Sequence, residues 1–262
     1  MRRSFRLVFA YFGCALLLAC SRAQSGESAV LTIAAASDLG PAFQELGAAF
    51  QRETGQAPRF TFGSTGLLAK QLHEGGPFDV FAAANVQYAD DAVRAGDCDA
   101  ATKALYARGR IALWTRAEVA VPATLSDLGD ARYGKIAIAN PEHAPYGKAA
   151  KEAMERAGVW GTVEPRIVYG ENVQQTLKFA QSGNADVALV ALSLVIVTQG
   201  GHHVLIDEAL HRPIDQALAA CRHGKNFEGG RRFAEFVNSK QGRDIMKRYG
   251  FLLPGETVAR SP

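Results

Sequence analysis

The chain has 262 residues, of which 48% are hydrophobic and 21% are charged, and this composition excludes extensive disorder. Its length is more typical of two small lobes than of one domain. The net charge is +3, but residues 1–19 contain three arginines and no acidic residue, so the rest of the chain is neutral overall. A nucleic-acid partner is therefore not expected, because such proteins usually carry a basic excess or stripe.

The N-terminus has the pattern of a signal peptide, which we assign to residues 1–19. Three arginines precede an almost uninterrupted apolar run at residues 7–19 that is too short to span a membrane. The run ends in Leu-Leu-Ala-Cys, which resembles the lipobox of bacterial lipoproteins. We expect cleavage before Cys20, lipid on its sulfur, and a tether at residues 20–28. Ordinary cleavage after Ala23 is the alternative.

Strands and helices alternate from residue 29 onward. In the first helical pattern Leu39, Phe43, Leu46 and Phe50 recur at helical spacing, and Gly55 is the expected stop. Such alternation indicates an α/β fold with mainly parallel sheets. The predicted strands are at residues 29–35, 59–62, 79–84, 111–115, 135–139, 166–169, 185–191 and 203–206.

The two lobes are predicted to be discontinuous in sequence, because no Pro-, Ser- or Gly-rich linker divides the chain. The chain is expected to cross to the second lobe near Arg108 and to return near Gln216. Helices at 233–237 and 245–249 would then pack on the first lobe. This arrangement places a ligand cleft between the lobes and makes the two crossing strands a hinge. The predicted division is lobe 1 at residues 29–108 and 217–256 and lobe 2 at residues 109–216.

Two of the four cysteines, Cys98 and Cys221, lie in the folded part of the chain. An exported compartment permits a disulfide between them, and two separate buried thiols are the open alternative. No Cys-x-x-Cys motif and no Cys/His spacing typical of zinc ligands is present, so a zinc site is not expected.

Four junctions between a strand and the next helix contain small and polar residues, at positions 34–38, 62–66, 140–147 and 170–173. A helix N-terminus presents backbone N–H groups and the positive end of its dipole. Open α/β sheets bind ligands beyond the carboxyl ends of their strands. Several helix N-termini that meet there form an anion site without Lys or Arg.

Each junction also has a purely structural interpretation. Ser37 can be a helix cap, and the glycines and hydroxyls at 63–66 can form a tight turn with a cap. Segment 63–66 is not a P-loop, because the following Gly-Lys-Ser/Thr is missing. Tyr146 can be a partly buried aromatic residue, and Val173 the first apolar residue of its helix. Taken singly, no junction decides the function.

Taken together, these segments resemble the molybdate-binding periplasmic proteins of ABC importers, within the type II solute-binding fold. The resemblance covers most of residues 29–253, and its most specific segment is Asn-Pro-Glu-His-x-Pro-x-Gly. The matching stretches occur in the family's order and are AAASDL at 34–39, FGSTGLLAKQ at 62–71, GGPFDVFAAA at 75–84, NPEHAPYGKAAKEA at 140–153, GENV at 170–173, ALVALS at 188–193 and RYGF at 248–251.

The resemblance implies an extracytoplasmic solute-binding protein in the periplasm or cell envelope. Such a protein binds molybdate, and also tungstate because the two ions are nearly the same size. It delivers the ion to the permease of an ABC transporter in the inner membrane. The resemblance further implies a monomer with no cofactor and no catalytic residue.

The family's binding positions fall on the four junctions. Its contacts to the oxygens of the anion match the hydroxyls of Ser37 and Thr65 and the backbone N–H groups of Tyr146 and Val173, with Asp38 and Ser64 beside them. None is implied to coordinate the metal centre directly. Some members add a tyrosine hydroxyl after the seventh strand, where this chain has Ala191. We expect the phenol of Tyr146 to replace it.

A fully ionised dianion has only hydrogen-bond acceptors, so a site of hydroxyl and backbone N–H donors can bind it. Asp38 would repel it, and we expect that carboxylate to turn away and bond the backbone at the helix start.

The alternatives are a binding protein for another oxyanion or for a small organic acid, and a hydrolase-type enzyme. A hydrolase-type enzyme would be expected to contain a motif such as Gly-x-Ser-x-Gly or His-Glu-x-x-His, and the sequence contains neither. Glu171 and Asp38 can be imagined as an acid/base pair, but carboxylates are common at helix starts. The carboxylate of an organic acid is usually bound by an arginine side chain through two hydrogen bonds. No junction contains Arg, although Lys70 and Lys148 lie one helical turn further on, and this favours an inorganic oxyanion.

Overall fold

The computed structural model describes residues 30–256. The expected signal peptide, the tether and Cys20 lie outside the described residues. Within residues 30–256, no helix is both long enough and apolar enough to cross a membrane.

Strands and helices alternate along the described chain, as the sequence predicts. The strands are β1 (Leu31–Ala36), β2 (Pro58–Gly63), β3 (Val80–Ala83), β4 (Ala104–Gly109), β5 (Ile111–Arg116), β6 (Ile136–Ala139), β7 (Ile167–Gly170), β8 (Val187–Ala191), β9 (Gly201–Leu205) and β10 (Ile214–Ala220). The α-helices are α1 (Gly40–Thr54), α2 (Thr65–His73), α3 (Val86–Arg94), α4 (Pro145–Arg156), α5 (Trp160–Val163), α6 (Val173–Gln181), α7 (Leu192–Val195), α8 (Phe227–Val237) and α9 (Lys240–Arg248).

The strands form two five-stranded sheets, in the orders β2-β1-β3-β10-β4 and β7-β6-β8-β5-β9. The predicted α/β class is confirmed. The expectation of mainly parallel sheets is wrong, because each sheet has two parallel and two antiparallel neighbouring pairs. All the antiparallel pairs involve β5 or β10, the strands through which the chain enters the second sheet and re-enters the first.

The chain passes between the sheets from β4 to β5 and again from β9 to β10. Only Arg110 separates β4 from β5, and its Nε donates to the Gly250 carbonyl at 3.0 Å. β4 and β10 pair antiparallel, with Gly109 opposite Ile214. They are the crossing strands expected near Arg108 and Gln216. Their bounds were absent from the predicted list, because charged and polar residues interrupt their apolar patterns.

The predicted C-terminal helices belong to α8 and α9, and α8 packs on the first sheet. Phe233 of α8 meets Phe43 and Phe50 of α1 edge-on, with ring centroids 5.8 and 5.3 Å apart. Gly55 ends α1 with φ +76°, the left-handed conformation typical of a helix stop. α1 and α8 thereby cover one face of the first sheet, and α2 and α3 pack on the other.

Cys98 and Cys221 form a disulfide with an S–S distance of 1.98 Å. Both residues are buried, and they lie 123 positions apart in the chain. The bridge joins the segment before β4 to the residue that follows β10. It therefore ties together the two ends of the part of the chain that contains the second sheet.

We predict that the double substitution Cys98→Ser/Cys221→Ser lowers the free energy of unfolding by about 2–4 kcal/mol, because the bridge restricts the unfolded chain. Urea denaturation measures the difference. A reducing agent should destabilise the wild type and leave the double variant unchanged. Reactive thiols at both positions in the unfolded, unreduced protein would contradict the bridge.

Candidate anion-binding site

A cavity lies between the two sheets, at the strand–helix junctions identified from the sequence. It contains about 190 Å³ of empty space, part of which is open to solvent. The cavity brings together all six predicted site residues. Its lining consists of Ala36, Ser37, Asp38, Gly63, Ser64, Thr65, Ala84, Ala144, Pro145, Tyr146, Asn172 and Val173.

The first junction places Ser37 at the cavity without using it as a helix cap. β1 lies between β2 and β3 and runs directly into a 3-10 turn that begins at Ser37. The cap position is Ala36, which has no side-chain capping bond to give. Ser37 is a buried residue that lines the cavity, and its hydroxyl is not used for capping.

The second junction uses its two hydroxyls differently. Ser64 occupies the cap position of α2 but makes no capping bond. Its Oγ donates to the His143 carbonyl at 2.7 Å and lies 2.8 Å from His143 Nδ1. Gly66 N–H also donates to that carbonyl, and a Cβ on Gly66 would lie 2.8 Å from it. Thr65 Oγ1 accepts from Ala84 N–H at 3.1 Å, which leaves the Thr65 O–H as a donor.

The third and fourth junctions present helix N-termini. Tyr146 is the second residue of α4, and Val173 is the first residue of α6. Such first-turn N–H groups have no carbonyl partner within their own helix. Gly147 lets α4 pack directly on β6, because a Cβ there would lie 1.9 Å from the Ala139 carbonyl. The Asn172 side chain caps α6 by accepting from the N–H groups of Gln174 and Gln175, and it does not occupy the Val173 N–H.

A buried hydrogen-bond network centred on Asp38 lies beside these donors. Asp38 Oδ2 accepts from Gln216 Nε2 at 2.7 Å and from the Tyr146 phenol at 3.0 Å. Gln216 Oε1 in turn accepts from Tyr106 O–H at 2.8 Å. Ser193 Oγ donates to the Asp38 carbonyl at 2.7 Å. The network joins β4, β10, α4 and α7 to the turn after β1.

This network corrects two expectations. The Asp38 carboxylate takes two donors from the side chains of Gln216 and Tyr146, besides an interaction with its own backbone N–H, whereas we expected it to bond only the backbone at the helix start. The Tyr146 phenol gives its single O–H to Asp38, so in this structure it does not replace the missing hydroxyl at Ala191. The reason is burial: a carboxylate that is 0% exposed needs the nearest available donors.

Burial raises the pKa of Asp38 to about 6, against the lowering effect of the hydrogen bonds from Gln216 and Tyr146. Because the folded pKa lies above the ordinary value of 3.8, ionisation of the carboxylate lowers the stability as the pH rises from 3.8 through about 6. At neutral pH this effect is on the order of 3 kcal/mol. Burial, followed by the charge of Asp38, raises the pKa of Tyr146 well above its ordinary value, so the phenol stays a donor.

Sequence reasoning missed Tyr106, Gln216, Ser193 and His143 as parts of the site. Gln216 could have been found, since the sequence shows an amide within a mostly apolar stretch, and such an amide needs a specific partner when it is buried. In the structure it is fully buried on β10. Ser193 and His143 lie in segments already matched to the family, but their partners are distant in the chain. Tyr106 has no local signal.

The site contains donors but no cation. None of the cavity-lining residues is Lys or Arg. Within residues 30–256, no group of three or more His, Cys, Asp or Glu side chains is placed to hold a metal ion. The arrangement is thus suited to an anion held by hydroxyl and backbone N–H groups, as at other helix N-termini.

Comparisons with known proteins cover nearly all of the described chain. The family model for bacterial extracellular solute-binding proteins matches residues 31–252. Molybdate-binding protein ModA of Rhodobacter capsulatus is 34% identical over 233 residues, which are 88% of this chain and 90% of that protein. YvgL of Bacillus subtilis (strain 168), named as a candidate substrate-binding lipoprotein of an ABC transporter, is 28% identical over 245 residues, 90% of this chain and 93% of YvgL.

Among solved structures, the periplasmic molybdate-binding protein of Azotobacter vinelandii has the same fold. Its TM-score is 0.78 at 26% sequence identity, and the match covers 86% of this chain and 99% of that one. The predicted two-lobed solute-binding fold is confirmed by this likeness.

Proposed function

We propose that this chain, which belongs to the family of bacterial extracellular solute-binding proteins, captures molybdate and delivers it to an ABC importer. A relative in sequence, ModA of Rhodobacter capsulatus, is named for molybdate binding, and so is a structure with the same fold, from Azotobacter vinelandii. The function is transport by binding and release, so the site needs donors and no catalytic group.

One observation carries the proposal: the four junctions place hydroxyl and backbone N–H donors around a single cavity without any cation. Ser37 and Thr65 contribute hydroxyls from the first sheet, and Tyr146 and Val173 contribute N–H groups from helices on the second. A tetrahedral dianion offers only acceptors and therefore satisfies all of these donors at once.

Tungstate is part of the proposal because it has nearly the same size and charge as molybdate. Sulfate has the same charge but shorter bonds to oxygen, so a cavity of fixed radius holds its oxygens further from the donors. Discrimination against sulfate thus depends on the rigidity of the junctions. The disulfide and the packing of α4 on β6 contribute to that rigidity.

We also propose that the two sheets are the cores of two lobes, formed by residues 29–108 with 217–256 and by residues 109–216. Bonds from Ser64 to His143 and from Tyr146 to Asp38 cross the cavity and support a closed arrangement of the lobes. The protein would act as a monomer and present this closed form to the permease of the importer.

A lipid anchor at Cys20 is the proposed means of keeping the protein at the membrane. The Leu-Leu-Ala-Cys sequence and the likeness to YvgL support it. We expect the exported protein to begin at Cys20 with lipid on the sulfur, and Cys20→Ala to block that processing. Intact-mass measurement decides between this outcome and an unmodified N-terminus after Ala23.

The ligand is tested by thermal unfolding of the purified protein with a panel of anions. Molybdate and tungstate should raise the melting temperature, because a ligand that binds only the native state stabilises it by mass action. Sulfate, phosphate and a small dicarboxylic acid should have little effect at the same concentration. Equal stabilisation by sulfate would remove the proposed specificity, and no effect of any oxyanion would remove the proposed function.

The contribution of the Thr65 hydroxyl is tested by Thr65→Val, which keeps the shape of the side chain and removes both the donor and the acceptor of the Ala84 N–H. A hydrogen bond to a charged group contributes about 1.5–3 kcal/mol, so molybdate affinity should fall roughly ten- to a hundredfold. Titration calorimetry measures the change. Thr65→Ser keeps the hydroxyl and should bind nearly as the wild type does; if both variants bind equally well, Thr65 serves only the fold.

A further inference from the structure

The two oxygens of the Asp38 carboxylate differ in their hydrogen-bond partners. Oδ2 accepts hydrogen bonds from Gln216 and Tyr146, at 2.7 and 3.0 Å. Oδ1 is buried, and no other residue within residues 30–256 donates a hydrogen bond to it. Asp38 also lines the candidate cavity. Buried polar atoms are nearly always paired, so an unpaired carboxylate oxygen beside a ligand cavity indicates a partner that arrives with the ligand.

An ionised Asp38 is a poor neighbour for a dianion. Like charges would then lie close together in a buried region, where their repulsion is far stronger than in water. The donors on Oδ2 come from an amide and a phenol, which are neutral and do not cancel the charge. The causes of the Asp38 titration are burial and hydrogen bonds, with no charged residue among them.

The elements packed around Asp38 present mostly uncharged groups. The titratable ones are the phenols of Tyr106 on β4 and Tyr146 on α4, and burial raises the pKa of both well above the ordinary value. β10 presents the amide of Gln216, and α7 presents the hydroxyl of Ser193. The first turns of α1 and α6 and the carboxyl end of β2 contain no charged residue.

We propose that Asp38 enters the complex as a neutral carboxylic acid whose Oδ1–H donates a hydrogen bond to the bound oxyanion. The proton resides on Oδ1 because Oδ2 already receives two donors. It comes from the solvent, so the protein takes up as much as one proton for each anion it captures. The inference rests on the proposed function, and it makes Asp38 a specificity-determining residue that favours a fully ionised, acceptor-only ligand.

The direction of the pH dependence follows from linkage. Burial raises the pKa of Asp38 to about 6 in the free protein, and the negative charge of a bound dianion raises that pKa further. Well below about pH 6 the free protein already holds the proton, and binding takes up little. Above about pH 6 the proton is taken up with the anion, so affinity falls by as much as about tenfold per pH unit.

Titration calorimetry with micromolar sodium molybdate, from about pH 5.5 to about pH 8.5, tests the proposal. Measurements at each pH in two buffers of different ionisation enthalpy count the protons taken up. The expected count rises from well under one toward one across this range, while the dissociation constant increases. A count of zero throughout, with a constant affinity, would overturn the inference and leave the proposed function standing. No molybdate binding at any pH would remove both.

Asp38→Asn supplies a neutral donor of the same shape, because its Oδ1 can accept from Gln216 and Tyr146 while Nδ2 donates to the anion. The variant should take up no proton and bind molybdate equally well across the range. Near pH 8 it should therefore bind up to about a hundredfold more tightly than the wild type, and near pH 5.5 about equally.

Glu142→Gln is the matched control, since Glu142 is an exposed carboxylate at the neighbouring mouth of the cleft. It removes a negative charge near the site and should keep the wild-type proton count and slope. Loss of the slope in Glu142→Gln, or an unchanged slope in folded Asp38→Asn, would contradict the proposal. Thermal unfolding shows whether Asp38→Asn is folded; if it is not, the proton counts of the wild type and Glu142→Gln decide.

Discussion

A buried carboxylate must be given hydrogen-bond donors, and the donors for Asp38 come from distant parts of the chain. Asp38 follows β1, an interior strand of the first sheet, whereas Tyr146 lies in the first turn of α4 on the second sheet. Gln216 lies on β10, next to β4, and its amide orientation is set by the Tyr106 hydroxyl. The hydrogen bonds to Asp38 therefore link the two sheets at the cavity, and a change in the position of one sheet would change the polar groups that line it.

A second set of bonds across the cavity depends on small residues. Ser64 and Gly66 both donate to the His143 carbonyl, which belongs to the loop before α4. Gly66 permits that approach, and Gly147 permits α4 to lie against the end of β6. The glycines therefore matter because backbone must come close to backbone there, and the result is a pair of helix N-termini that face the same space as Ser37 and Thr65.

The cavity relies on oriented dipoles instead of opposite charges. Hydroxyls and first-turn N–H groups stabilise a dianion at short range, and they require no buried Lys or Arg that would need a partner when the site is empty. The raised pKa of Asp38 also reduces the charge at the site, because a protonated carboxylic acid is another neutral donor. Such a site is open to ions that are small, compact and fully ionised.

The sequence by itself determined the α/β alternation and the positions that line the cavity, because apolar periodicity and small polar residues at strand–helix junctions are local features. It predicted crossing strands near Arg108 and Gln216 but not the bounds of β4 and β10, since their polar residues are explained only by partners elsewhere. Tertiary structure alone decided what the polar side chains do. Ser64 bonds His143 instead of capping α2, and Tyr146 bonds Asp38 instead of keeping its phenol for the ligand. These pairs are 79 and 108 positions apart in the chain, and the burial that raises the pKa of Asp38 comes from elements just as distant, so no local pattern contains them.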